Sequence, residues 1–238
     1  MASLIAVMGE SGSGKTTSLR TLDPSSTFII DCDKKGLPWR GWRGQYNKEA
    51  KNYIVTDSPD DVLAYMRIVN ANPLYKHVKV LVVDTMNGVM VAQESRDRKK
   101  KGYDKWADLA WCVYDIIDEA LTMREDLTIV FMAHSQTDRD DNGVIFTRIK
   151  TSGRKLDKIV LESKFTTVLN SKSVGGEYVF VTHDPASTAK TPMGCFESET
   201  IPNDMLAVVN AIRDYEGVEP VTSAENSTPA VEKKEANN

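Results

Sequence analysis

The chain has 238 residues, 41% of them hydrophobic and 27% charged, with a formal net charge of −4. That length and apolar content suffice for one sizeable core, and the acidic balance excludes a chain-wide basic surface while leaving local patches open. The three cysteines, Cys32, Cys112 and Cys195, lie far apart with no CxxC or Cys/His spacing, which excludes a disulfide framework and reads as reduced thiols.

In chain order, Ser3 to Met8 is a short apolar strand that runs into a Gly/Ser-rich turn, and Lys15 to Leu22 reads as a helix. Phe28 to Ile30 is a second strand and Asn52 to Thr56 a weaker third. Ser58, Pro59 and the acids after them form a helix start, with Ser58 as N-cap and Pro59 in the first helical position. Val78 to Val83 is a continuous β-branched run ending in Asp84, the pattern of a strand buried on both faces. Asp108 to Met123 carries an apolar stripe at helical spacing. Leu127 to Ala133 is another buried strand, ending at His134. Val144 to Ile149, Phe165 to Leu169 and Tyr178 to His183 read as strands of a smaller, partly antiparallel section, and Asn203 to Tyr215 as a closing helix.

The alternation of strands and helices predicts an α/β domain over residues 1–215, with a mostly parallel sheet covered on both faces. Residues 216–238 are polar and poor in large apolar side chains, which predicts a disordered tail. The first ten residues have no basic n-region, and no apolar run is long enough to span a membrane. The expectation is a cytoplasmic protein.

Gly9 to Thr16, "GESGSGKT", fits G-x-x-x-x-G-K-[ST] between a predicted strand and a predicted helix, the context this phosphate-binding motif requires. Backbone N–H groups of Gly9, Glu10, Ser11, Gly12, Ser13, Gly14, Lys15, Thr16 and Thr17 are the candidate cradle for ATP phosphates. Lys15 is expected to reach the β- and γ-phosphates, and the Thr16 hydroxyl to ligate Mg²⁺. Asp84, at the mouth of its strand, is the partner expected to hold Mg²⁺ through water.

The stretch "FIIDCDKKG", Phe28 to Gly36, ends an apolar strand in two acids. In a parallel sheet the carboxyl ends of the strands share one edge with the phosphate loop. Asp33, one residue beyond the strand proper, is the candidate base that orients and activates water against the γ-phosphate. Asp31 is placed behind it, or as a cap of the turn that follows. His134, at the end of "LTIVFMAH", is the candidate γ-phosphate sensor.

Together these stretches resemble the RecA-like branch of P-loop ATPases: "GESGSGKTT", "FIIDCD", "VLVVDT" and "FMAHSQ" carry the likeness. The resemblance implies a RecA-like core. It puts Asp33 where the family usually keeps a Glu base, one methylene longer, and His134 where it commonly keeps Gln. More closely, "DCDKKGLP", "VVDTMN", "AHSQ" and "GVIFTRIKTSG" are similar to the compact phage ATP-binding proteins of the Sak group, which are RecA-like single-strand annealing proteins.

That likeness implies two loops that bind single-stranded DNA. Basic segments occur in both places: Arg96, Arg98, Lys99, Lys100, Lys101 and Lys105 in the first, and Arg148, Lys150, Arg154 and Lys155 in the second. Basic side chains neutralise phosphates, and Tyr103 or Trp106 can stack on bases. The likeness also implies a homo-oligomeric ring or filament in which a lysine such as Lys190 reaches a neighbour's γ-phosphate. A single-strand-binding protein is a further candidate partner.

The implied activity is an ATP-dependent, DNA-stimulated ATPase that promotes annealing or homologous recombination, phage-encoded and working in the host cytoplasm. The alternative is a nucleotide-gated replication adaptor such as a helicase loader. A small-molecule kinase is less well supported, because no Arg-bearing lid is evident.

Overall fold

Apolar runs without polar interruption become strands covered on both sides. In the computed structural model, which describes residues 1–99, 104–140, 142–151 and 160–221, every residue of β1 (Ser3–Gly9) and β2 (Thr27–Asp31) is buried. β3 (Tyr53–Val55) is a short edge strand, and β4 (Val80–Asp84) is again wholly buried. β5 (Thr128–Arg139) is the longest strand, followed by β6 (Ile145–Ile149), β7 (Thr167–Val174), β8 (Glu177–Val181) and β9 (Thr200–Pro202). The sheet order is β3-β2-β4-β5-β1-β7-β8-β9, with β6 paired to β5.

The pairings from β3 through β7 are parallel, and β7-β8-β9 close the sheet antiparallel. This is a mixed α/β fold with a mostly parallel central sheet. The short helix α1 (Trp42–Gln45) precedes α2 (Pro59–Ala71), α3 (Met86–Arg96), α4 (Asp104–Leu121) and α5 (Met205–Tyr215).

Strand alternation sorts the core into two layers. Leu4, Ala6 and Met8 of β1, with Phe28 and Ile30 of β2, face α2, α3 and α4 through Val62, Met66, Val89, Val113 and Ile117. Ile5 and Val7, with Ile29, face α5 through Met205, Val208, Val209 and Ile212. Both faces of the central strands are therefore dry, which is why their sequences read as unbroken apolar runs. α2 starts as its sequence predicts, with Ser58 accepting from the Asp61 N–H at 3.5 Å and Pro59 in the first turn.

Several boundaries differ from the sequence reading. The segment expected as a helix from Lys15 is a 3-10 helix over Thr16–Thr21. The hydroxyls of Ser18 and Thr21 donate to the carbonyls of Lys15 and Ser18, and such local bonds compete with a regular α-helical ladder. β5 does not stop at His134. Its second half, Ser135 to Arg139, leaves the parallel sheet and pairs antiparallel with β6, so a hairpin projects from the carboxyl edge. The second of the late strands, β7, joins the main sheet parallel to β1.

The polar segment from Glu216 is packed as far as Val221. Asn210 receives the Val221 N–H at 2.8 Å and donates to its carbonyl at 3.1 Å, and Arg213 Nε donates to the Glu219 carbonyl at 2.6 Å. Residues 222–238 lie outside the described residues. Among the described residues no helix is long and apolar enough to cross a membrane.

Candidate nucleotide site

One strand, β5, lies between β1 and β4, so the loop leaving β1, the end of β5 and the end of β4 stand side by side on one edge. Gly9 opens the phosphate loop and is the direct β-partner of His134. Residues Ser11 to Thr17 line a cavity of about 330 Å³ with Lys35, Gly36, Leu37, Pro38 and His134. Gly14, at φ 94°, sits with the Tyr178 ring occupying the space a Cβ would need. That position therefore excludes any side chain on both conformational and steric grounds.

Lys15 folds back on its own loop, donating to the carbonyls of Gly9 at 2.8 Å and Glu10 at 2.7 Å. Burial pushes its ammonium down to about 8, against the opposing pull of Asp84. In the folded protein the charged form is the disfavoured one, so the folded state sheds this proton before an unfolded lysine would.

A bound triphosphate restores the charge, so binding near pH 8 should take up about half a proton. Above that pH, affinity should fall by up to about tenfold per unit. Calorimetric titrations in two buffers of different ionisation heat measure this uptake directly; zero uptake would place Lys15 away from phosphate.

Asp84 is fully enclosed and its Oδ1 has no hydrogen-bond partner. Burial raises its carboxyl to about 6, with Lys35 and the Thr16 hydroxyl pulling the other way. A buried carboxylate oxygen left unpaired beside a threonine hydroxyl is the donor set a hard divalent cation takes, with phosphate and water completing its shell. Thr16 and Asp84 therefore fit Mg²⁺. Among the described residues no cluster of three or more His, Cys, Asp or Glu forms a separate metal cage.

The two acids that end β2 separate into different roles. Asp31 is 1% exposed and its carboxylate is saturated by the Lys34 N–H at 2.9 Å, the Gly36 N–H at 2.8 Å and the Tyr53 hydroxyl at 2.6 Å. It caps the turn and does not face the cavity's chemistry. Asp33 accepts from the Thr85 hydroxyl at 2.9 Å and from Lys35 Nζ at 2.6 Å.

Gly88, in the first turn of α3, passes so close that a Cβ would lie 2.8 Å from Asp33 Oδ1 and 2.5 Å from the Cys32 carbonyl. Burial alone would lower the Lys35 ammonium, but its bond to Asp33 together with the negative charges of Asp84, Asp33 and Asp31 outweighs this and holds it above its ordinary range.

His134 is half-buried. Burial, followed by the positive charge of Lys15, lowers its imidazolium from the ordinary value, favouring the neutral ring. Its backbone N–H donates to Asn87 Oδ1 at 2.7 Å, while Asn87 Nδ2 donates to the Lys150 carbonyl at 2.8 Å. One side chain from α3 thus holds both strands at the root of the β5-β6 hairpin. Neither Asn87 nor Lys35 was singled out from sequence. The only cue for Lys35 is its place two residues after Asp33.

The expected DNA residues are divided. Arg96 is bonded to the carbonyl and carboxylate of Asp57, and Arg148 to the Asp138 carboxylate, so each guanidinium already has an anionic partner. Arg98 and Lys150 are exposed. Lys100, Lys101, Arg154 and Lys155 lie outside the described residues, as do the side chains of Lys99 and Lys105.

Lys190 forms a backbone bridge with Val168, whose β1 partner is Ala6, three residues short of the Gly9 edge. It does not line the cavity. The lysine beside the phosphate loop from the late strands is Lys172 of β7, which shares a second groove with Glu10, Ser11, Gly12 and Ser135 and pairs with Asp184 at 3.0 Å.

A family model described as AAA domain matches residues 2–193. No curated protein matches the chain.

Proposed function

The chain belongs to the AAA domain family, ATPases that bind nucleotide on a P-loop, and from that premise we propose that it is an ATP-dependent single-stranded-DNA-binding protein acting in annealing or homologous recombination. The observation that carries this reading is the β5-β6 hairpin. It springs from His134 at the phosphate cavity, shows exposed Arg139 and Lys150, and exposes Val144 and Ile145 at its tip. Arg139 beside the apolar Ile145, with Lys150 at the root, suits a flexible strand, whose phosphates and unstacked bases both need partners.

In the ATPase step Lys15 leaves the loop carbonyls for the β- and γ-phosphates, and the loop N–H groups hold the chain of phosphates. Mg²⁺, when bound at Thr16 and Asp84, screens the phosphate charge. Asp33 accepts the proton of the attacking water as the new P–O bond forms. The bond from the γ-phosphorus to the bridging oxygen breaks, and ADP carries away that electron pair. Neutral His134 donates a hydrogen bond to the γ-phosphate, and its loss on hydrolysis is passed through Asn87 to the hairpin. Assembly into a ring or filament, with lysines such as Lys190 acting on a neighbour, belongs to the same reading, as does a Sak-like, phage-encoded origin.

Phosphate release with and without single-stranded DNA, together with strand binding at low salt, tests the proposal. We expect faster release with DNA, and tighter strand binding with a non-hydrolysable ATP analogue than with ADP. No strand binding in any nucleotide state ends the DNA reading while leaving the ATPase intact. A nucleotide-gated adaptor for a replicative helicase is the second reading. It is favoured by the engagement of Asp33 with Lys35, which suits slow hydrolysis, and recovery of a replicative helicase in a nucleotide-dependent pull-down supports it.

A further inference from the structure

We propose that Lys35 is a γ-phosphate ligand supplied from within the same chain, and that its resting bond to Asp33 keeps the base occupied until a triphosphate draws the lysine away. The proposal rests on the ATPase reading of the same cavity. Lys35 lines that cavity together with Lys15, Thr16 and His134. It is close enough to Lys15 and Asp84 for its charge to act on both.

The loop that carries it is fixed from three sides. Asp31 holds the N–H groups of Lys34 and Gly36. Lys34, at φ 59°, turns the other way to pair with Asp57 at 2.6 Å. The Trp42 ring fills the space against Gly36 and packs on Tyr53 at 5.3 Å between centroids. What remains movable is the Lys35 side chain, with 48% of its surface exposed and one partner, Asp33.

A γ-phosphate placed over Lys15 and Thr16 enters this cavity with about two negative charges, against one on Asp33. Coulomb attraction then favours transfer of the ammonium from carboxylate to phosphate. ADP ends at the β-phosphate and offers no such pull. Transfer leaves Asp33 with Oδ1 held by the Thr85 hydroxyl and Oδ2 free to accept a proton. The lysine thus couples recognition of the third phosphate to exposure of the base.

Equilibrium binding of a non-hydrolysable ATP analogue and of ADP to the full chain separates this from a structural role. Lys35→Ala should weaken the ATP analogue by about tenfold or more and ADP by less than about twofold, the loss of one charge-assisted bond to one phosphate. Lys35→Arg should restore most of the preference. Asp33→Asn, which removes the resting partner, should keep or raise the ATP-over-ADP ratio.

An unchanged ATP-over-ADP ratio in Lys35→Ala, whether both nucleotides weaken equally or neither does, or a lowered ratio in Asp33→Asn, overturns the proposal. Wild-type protein that binds neither nucleotide overturns the ATPase reading and this inference together. Wild-type binding that Lys15→Ala abolishes, with no effect of Lys35→Ala, overturns this inference alone.

Discussion

Asp33→Asn should keep ATP binding and lower kcat by about two to four orders of magnitude, the range that a positioned general base contributes. The substitution preserves shape and the acceptor facing the Thr85 hydroxyl, so the helix and loop around it have no reason to move. What it removes is the ability to take a proton. Phosphate release at saturating ATP, measured beside the dissociation constant of a non-hydrolysable analogue, separates the two effects. A kcat within a few-fold of wild type would assign the base elsewhere. Asp84 is the nearest other acid in register, since Asp31 and Asp84 are β-partners, but its buried oxygen is better suited to the cation.

Asp31→Ala should be the most destabilising change at this edge, costing about 3–5 kcal/mol, because it leaves two backbone N–H groups and a phenol without their buried acceptor. Total stability for a domain of this kind is about 5–15 kcal/mol, so the variant should show a visibly lower denaturant midpoint. Burial, reinforced by Asp31, raises the Tyr53 phenol, so its hydroxyl remains a donor through the physiological range. Asp31→Asn should lie between wild type and Ala, since it keeps the acceptor for the Lys34 N–H. Urea unfolding followed by circular dichroism measures all three. A loss below about 1 kcal/mol for Ala would show that the turn holds without its cap.

The two lysines after Asp33 show how much of the site was legible in the sequence. The charge pattern "DCDKKG" marks the loop as charged and close to the phosphates, but adjacent lysines look alike on paper. Only the left-handed backbone at Lys34 decides that one turns to Asp57 and the next to the cavity. In the same way Arg96 was visible as a cation, whereas its partner was not: Asp57 lies 39 residues from Arg96.

The buried strands and the phosphate loop were readable because each depends on residues close together in sequence. The start of α3 was not, because Gly88 sits in its first turn and Val91 faces solvent. Helical periodicity is weak there, and the glycine answers to a close approach by β2's end that sequence does not reveal. The outer half of β5 was missed because "SQTDR" is polar. It is held by pairing with β6 and not by burial.

Asn87 ties the two strands of the hairpin root to each other and to the helix that begins just after Asp84. Such a clamp fixes the root, while Arg139 and Ile145 at the far end of the hairpin are joined to it through the paired strands. Motion at the root is handed on whole, whatever sequence the tip carries. Under the proposed function the tip can therefore be exchanged, and with it the strand it contacts, without disturbing the clamp at the root. On that reading, strand contact and nucleotide site are separable inheritances.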